Sequence, residues 1–271
     1  MPVSATPGQA SPSVVPETVV VPSGTLRLKG FLWRSEGSAP AVLFLHGSGS
    51  TGPAYTGKFP ITEAAEKLGP MFVKHGYTFL YLFRRGQGLS ADQGIFMQDI
   101  FRREKATGGE ASRNRAQIRL LTTDHLDDAM AGLSFLKRLP GGDVHRIAIV
   151  GHSFGGQLSL LAAGRDSAIR AVVTFGAAAG SWEDSPELRD VLLAAVRKTT
   201  APVMLLYAAN DYSIAPGKAL AAELNRLAKP HVLRIYPPFG QTPDDGHNFV
   251  HTGAAQWEDD VFRFLEKYLR H

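Results

Sequence analysis

Apolar positions along the chain fall into short continuous runs separated by stretches with helical spacing. Ala41–Leu45 (AVLFL) has the unbroken apolar character of a strand buried on both faces, Tyr77–Phe83 (YTFLYLF) reads as the next buried strand, and Arg146–Val150 (RIAIV), Ala171–Phe175 (AVVTF), Val203–Tyr207 and Val232–Tyr236 read as further strands. Thr18–Pro22 and Thr25–Trp33 flank Ser23-Gly24, which predicts two strands joined by a turn. Between these runs, helices are expected over Ile61–His75 (with an interruption at Gly69-Pro70), Thr123–Arg138, from Gly156 to about Ala163, and over Pro186–Arg197, Pro216–Leu227 and Trp257–Leu269. Thr123 or Asp124 is placed to cap the second of these. A Gly/Pro/Asp-rich loop holding His247 is expected after the last strand. Residues 91–119 are largely polar and charged but contain Phe96, Met97, Ile100 and Phe101, an apolar cluster at helical spacing. That stretch reads as a peripheral helix or as a partial lid. Strands alternating with helices imply right-handed crossovers, hence an α/β fold: a mostly parallel sheet of about eight strands with helices on both faces. Residues 17–271 are expected to form one such domain, preceded by a flexible lead over residues 1–16.

Composition narrows the partners. The chain has 271 residues, 44% of them hydrophobic and 20% charged, with a formal charge of +4. No Lys/Arg run or aromatic-interleaved basic stripe supports nucleic-acid binding. No apolar run approaches the roughly 20 residues of a membrane span. There is no cysteine, which removes disulfides, thiolate nucleophiles and cysteine-ligated metals. The N-terminal lead has no apolar core of the kind an intact secretory signal carries, and the compartment stays open. Neither a metal nor another cofactor is implied, and oligomeric state is not legible.

One motif carries chemistry. Gly151-His152-Ser153-Phe154-Gly155-Gly156 follows a strand directly and leads directly into a helix. A serine at such a turn is held in a strained conformation with its hydroxyl lifted clear of the sheet, and glycines two residues either side remove Cβ atoms that would clash. A serine hydroxyl needs a base, and the base needs an orienting acid. Asp211 follows the strand Val203–Tyr207 and His247 follows the last strand, in the order nucleophile, acid, histidine. Both lie beyond strand carboxyl ends, where such sheets bind ligands. His251 is the rival base; Asp244 and Asp245 are rival acids too near the histidine to bridge it easily. His46 reads as a structural histidine opening the loop His46-Gly47-Ser48-Gly49-Ser50. Backbone N–H groups of Ser48 and Phe154 are the expected donors to a developing oxyanion. Trp182 is a candidate pocket wall, or simply a packed helix-end aromatic, and His152 a candidate substrate contact. Arg85 is a candidate for a substrate carboxylate, with a structural ion pair as the alternative.

Taken together, His46–Gly49, Arg85-Gly86-Gln87-Gly88-Leu89-Ser90, Gly151–Gly156, Asp211 and His247 resemble the α/β-hydrolase superfamily over nearly all of the chain after residue 17. Within it, the Gly-His-Ser-Phe-Gly-Gly elbow and the Gly246-His247-Asn248-Phe249 loop resemble the dienelactone-hydrolase-like branch, related to acyl-peptidase and acetyl-esterase domains. That resemblance implies the α/β-hydrolase fold and a serine esterase acting on a small-molecule ester through an acyl-enzyme. True dienelactone hydrolases carry a cysteine nucleophile, so the lactone activity itself is not implied. An amide or peptide hydrolase using the same residues, or a non-catalytic binding protein on this fold, are the alternatives. Epoxide hydrolases and haloalkane dehalogenases share the fold but place aspartate at the elbow, which Ser153 excludes.

Overall fold

The computed structural model describes residues 15–49, 61–140, 143 and 145–270. Most of the lead over residues 1–16, and Ser50, lie outside the described residues. Eight strands form a single sheet: β1 (Glu17–Ser23), β2 (Leu26–Trp33), β3 (Ala41–Leu45), β4 (Thr78–Phe83), β5 (Ile147–His152), β6 (Ile169–Phe175), β7 (Val203–Ala208) and β8 (His231–Tyr236). Their order is β1-β2-β4-β3-β5-β6-β7-β8. The first two strands run antiparallel along the β4 side, and β4, β3 and β5 to β8 are parallel. The mostly parallel sheet of about eight strands is therefore the one the hydrophobic runs predict.

Alternation along the strands divides the interior into two layers. Leu43 and Leu45 of β3, Leu80 and Leu82 of β4, and Ile147 and Ile149 of β5 face α3 (Asp124–Lys137), α4 (Phe154–Arg165), α5 (Pro186–Lys198) and α6 (Ala215–Arg226). Val42 and Phe44, Phe79 and Tyr81, and Ala148 and Val150 face α1 (Ile61–Lys74) and the C-terminal helix Ala254–Leu269. The second layer is aromatic: Phe72 stacks on Phe79 at 4.5 Å and Phe44 on Tyr81 at 5.0 Å between ring centroids.

Three local expectations are corrected. Helix α1 continues through Gly69-Pro70. A Cβ on Gly69 would meet the Trp33 indole at 2.4 Å, so glycine is what lets the helix lie on β2. Burial of Leu68, Phe72 and Val73 on either side outweighs the lost Pro70 donor. The helix expected within 91–119 is present: α2 (Met97–Thr122) is broken at Gly108-Gly109, where Gly109 takes φ 68°. Phe96, Met97, Ile100 and Phe101 are buried, as an apolar face at that spacing requires. The stretch after β8 forms two short helices, α7 (Pro243–His247) and α8 (Phe249–Thr252), ahead of α9 (Ala254–Leu269). Thr242 and Asp245 make reciprocal side chain-to-backbone bonds that start α7, a capping box readable as Thr-x-x-Asp. Thr123 precedes α3 but its hydroxyl donates back to the Arg119 carbonyl instead of capping. No helix among the described residues is long and apolar enough to cross a membrane.

Candidate active site

Strand β5 and helix α4 meet at Ser153, whose backbone takes φ 54° and ψ −118°. A non-glycine residue there costs on the order of 1–3 kcal/mol and must be held by its surroundings. The Ser153 N–H donates to the Phe175 carbonyl at 2.8 Å, and its carbonyl accepts from the Gln157 N–H at 3.1 Å. Sterics fix the glycines around it. A Cβ on Gly155 would lie 1.9 Å from the Leu45 carbonyl oxygen, and one on Gly151 2.2 Å from that of Gly155. Strand β3 and the turn thus touch backbone to backbone.

The Ser153 hydroxyl donates to His247 Nε2 at 2.9 Å, and His247 Nδ1–H donates to Asp211 Oδ1 at 2.7 Å. The same carboxylate oxygen accepts the Tyr212 N–H at 2.7 Å. Asp211 follows β7, His247 ends α7, and both are buried. Of the rival acids, Asp244 accepts the Tyr212 hydroxyl at 2.8 Å, and Asp245 caps α7. His251 lines the same cavity with its ring centroid 5.0 Å from that of His152.

Two positions that hold this arrangement were not singled out by the sequence analysis. Asn210 ties the acid loop to the segment before α7: its side-chain N–H groups donate to the carbonyls of Phe239 (2.8 Å) and Thr242 (2.9 Å), and its oxygen accepts the Phe239 N–H at 2.8 Å. Gly176, at φ +57°, leaves the space that Asp211 and His247 occupy. A Cβ there would stand 2.8 Å from Asp211 Oδ2 and 2.9 Å from His247 Nδ1. The Asn-Asp turn was visible in the sequence; its contacts run to residues about thirty positions away and were not.

A cavity of about 510 Å³ opens over Ser153, lined among others by Ser48, Phe154, His152 and His251. Ser48 and Phe154 line it together with the serine: a Cβ on Gly47, which precedes Ser48, would sit 3.3 Å from the Ser153 Cβ, and Phe154 is the first residue of α4. The His152 ring is buried and Nε2–H donates to the His247 carbonyl at 2.9 Å. Burial, then the neighbouring His247 and His251, holds its pKa well below the usual histidine range, so this ring is neutral. His152 therefore braces the histidine loop as well as lining the cavity. His46 is buried and neutral too, with Nδ1–H donating to the Gly47 carbonyl at 2.8 Å.

Arg85 and Trp182, each open between a substrate contact and a structural role, take the structural role. Arg85 is fully engaged with acids: its guanidinium meets Asp128 at 2.7 and 3.0 Å and Asp124 at 3.0 Å. Asp128 is buried and needs that cation, so the ion pair decides where Arg85 goes. Trp182 is only 5% exposed in the layer under α5, with its carbonyl accepting from Arg189 at 2.7 Å; it packs as core instead of walling the cavity. The cavity's arginine is Arg113 of α2, whose guanidinium lies 4.8 Å from the Phe101 ring and bonds Gln117. Gln117 in turn donates to Ser181 Oγ at 3.1 Å. Helix α2 thus forms a polar wall beside the serine.

The family model of the dienelactone hydrolases matches residues 90–268, well over half of the chain and including all three hydrogen-bonded residues. The chain belongs to the dienelactone hydrolase family. Membership and the observed sheet together give it the α/β-hydrolase fold. A curated relative, the polyketide transferase grgF of a Penicillium species, is 28% identical over 221 residues, 78% of this chain and 64% of that protein. This chain thus spans less than two thirds of that relative's length. Among solved structures, the acylaminoacyl peptidase of Pyrococcus horikoshii superposes with a TM-score of 0.66 at 18% identity over 94% of this chain and 41% of its own. The dienelactone hydrolase of Anabaena variabilis does so with a TM-score of 0.62 at 20% identity, over 94% and 99%. At such identities the likeness is one of fold.

Proposed function

We propose that this family member is a serine hydrolase that cleaves a carboxylic ester of a small molecule through an acyl-enzyme. The observation that carries this reading is the unbroken hydrogen-bonded line Ser153–His247–Asp211 opening into a cavity. Ser153 Oγ attacks the acyl carbonyl as His247 Nε2 takes its proton, and Asp211 holds the ring's tautomer and stabilises the imidazolium. The carbonyl oxygen, now negative, accepts from the backbone N–H groups of Ser48 and Phe154. Collapse of this intermediate breaks the ester C–O bond, and His247 returns its proton to the departing alcohol. Water then attacks the acyl-serine by the same route, releasing the acid and restoring Ser153. Residues 17–271 act as one catalytic domain in this reading, with α2 as a partial cover.

Ser153→Ala is expected to lower kcat for p-nitrophenyl acetate by about 10⁴-fold or more with an unchanged circular dichroism spectrum. Turnover within tenfold of the unmodified enzyme would refute the assignment. The fungal transferase relative favours a second reading, in which an alcohol or amine instead of water accepts the acyl group. Added alcohols would then divert product from acid to new ester without changing the rate of acylation; an unchanged product ratio would exclude it.

A further inference from the structure

Two adjacent arginines leave the end of β4, and only the second is neutralised by acids. The Arg84 side chain is wholly buried, and among the described residues no carboxylate lies within ion-pair distance of it. A buried cation without a counter-ion is costly, and its hydrogen bonds indicate what it serves. Nη1–H donates to the His46 carbonyl at 2.6 Å and Nη2–H to the Gly47 carbonyl at 2.8 Å. Another Nη2–H reaches Gln87 Oε1 at 3.2 Å, and Gln87 Nε2–H donates to the Ser48 carbonyl at 2.6 Å. Three successive carbonyls are therefore drawn to one side of the loop. Each trans peptide is planar, so its N–H points opposite to its carbonyl. The N–H groups of Gly47, Ser48 and Gly49 are thereby turned away from Arg84, and Ser48 and Gly49 are cavity residues. The guanidinium carbon also stands 5.3 Å from the centre of the Phe154 ring, whose backbone N–H is the other expected donor.

We propose that Arg84 is the positioning residue of the oxyanion-binding loop: with Gln87 it fixes the peptide planes that aim the Ser48 N–H at the reacting carbonyl oxygen, and it sets a positive charge without an ion-pair partner behind them. This rests on the reading of Ser48 and Phe154 as oxyanion donors. The burial that makes the cation expensive also makes it effective, because little solvent screens it from charge developing on the substrate. Burial pushes the Arg84 pKa down to about 9, with Asp128 and then Tyr81 opposing that fall, so the group stays cationic near neutral pH. The buried His46 and His125 beside it are held neutral by burial and by this same charge. Arg85, one residue on, shares none of this work: it answers Asp128 and Asp124.

The test compares Arg84→Lys, Arg84→Met and Gln87→Ala with Arg85→Lys, measuring p-nitrophenyl acetate kinetics and inhibition by a trifluoromethyl ketone, which forms a tetrahedral adduct with an oxyanion. For Arg84→Met, kcat is expected to fall by about 10²-fold, as when an oxyanion donor is lost. Inhibitor affinity should fall in proportion while KM moves less than threefold; Arg84→Lys and Gln87→Ala should lie between this variant and the parent. Arg85→Lys should lose thermal stability and keep kcat. The assignment is overturned if folded Arg84 variants keep kcat within threefold, or if kcat falls without loss of inhibitor affinity. It is also overturned if every Arg84 and Gln87 variant fails to fold, which would mark a purely structural residue. A parent enzyme that neither turns over the ester nor binds the inhibitor would overturn the hydrolase reading itself, and this proposal with it.

Discussion

At Gly176 the missing side chain matters as much to the candidate site as the groups present. Its φ of +57° suits glycine, and the volume a Cβ would fill is occupied by Asp211 and His247. Gly176→Ala is expected to displace that pair and lower kcat at least tenfold while far-UV circular dichroism stays unchanged; kcat within twofold of the parent would show that the pair tolerates the methyl group. The elbow was legible in the sequence because its strand, its Gly-x-Ser-x-Gly turn and its helix follow one another directly along the chain. Gly176, Asn210 and Arg84 were not, because their partners are brought in by the sheet from distant segments. Arg85 stayed open between a substrate carboxylate and a structural ion pair for a related reason: a motif arginine beside a glycine says nothing of the buried Asp128 that claims it.

Among the elements, strands were easier to anticipate than what joins them. Unbroken apolar runs such as AVLFL are demanded wherever both faces of a strand are covered, and β3 to β7 sit where those runs lie. Helix α1 shows the opposite case, since Gly69-Pro70 reads as a break until Trp33 is seen packed against the glycine. Helix α3 is tied to two strand ends through one buried group: Asp128 accepts from Ser23 Oγ at 2.9 Å and from both the backbone and the guanidinium of Arg85. Removing that carboxylate leaves a partly buried cation answered only by the partly exposed Asp124. Asp128→Ala is expected to cost about 3–5 kcal/mol in urea unfolding, with unchanged kcat for the fraction that remains folded. A loss below 1 kcal/mol would mean that the network closes over the gap.

For the whole molecule, buried histidines set how stability follows pH. His46, His125 and His152 are all buried and held well below the ordinary histidine pKa, chiefly by burial. Their folded pKa values lie under the unfolded value of about 6.5, so between those limits the unfolded chain binds more protons. Their contribution is complete above about pH 6.5 and is lost as pH falls toward the folded values. Each adds a slope of up to about 1.4 kcal/mol per pH unit in that window. Urea unfolding at pH 7.5 and pH 5.0 should show a marked drop at the lower pH; equal stabilities would contradict the neutral, buried state of these rings.

The central claim is that Ser153 is the nucleophile of an acyl-enzyme, and it is tested most directly by intact-protein mass spectrometry after treatment with a fluorophosphonate. Such a reagent phosphonylates a serine whose proton a neighbouring base can take, and expels fluoride. The account predicts one phosphonyl adduct per chain, mapped to the peptide carrying Ser153 and absent from Ser153→Ala. No adduct, or an adduct of equal yield in that variant, would contradict it.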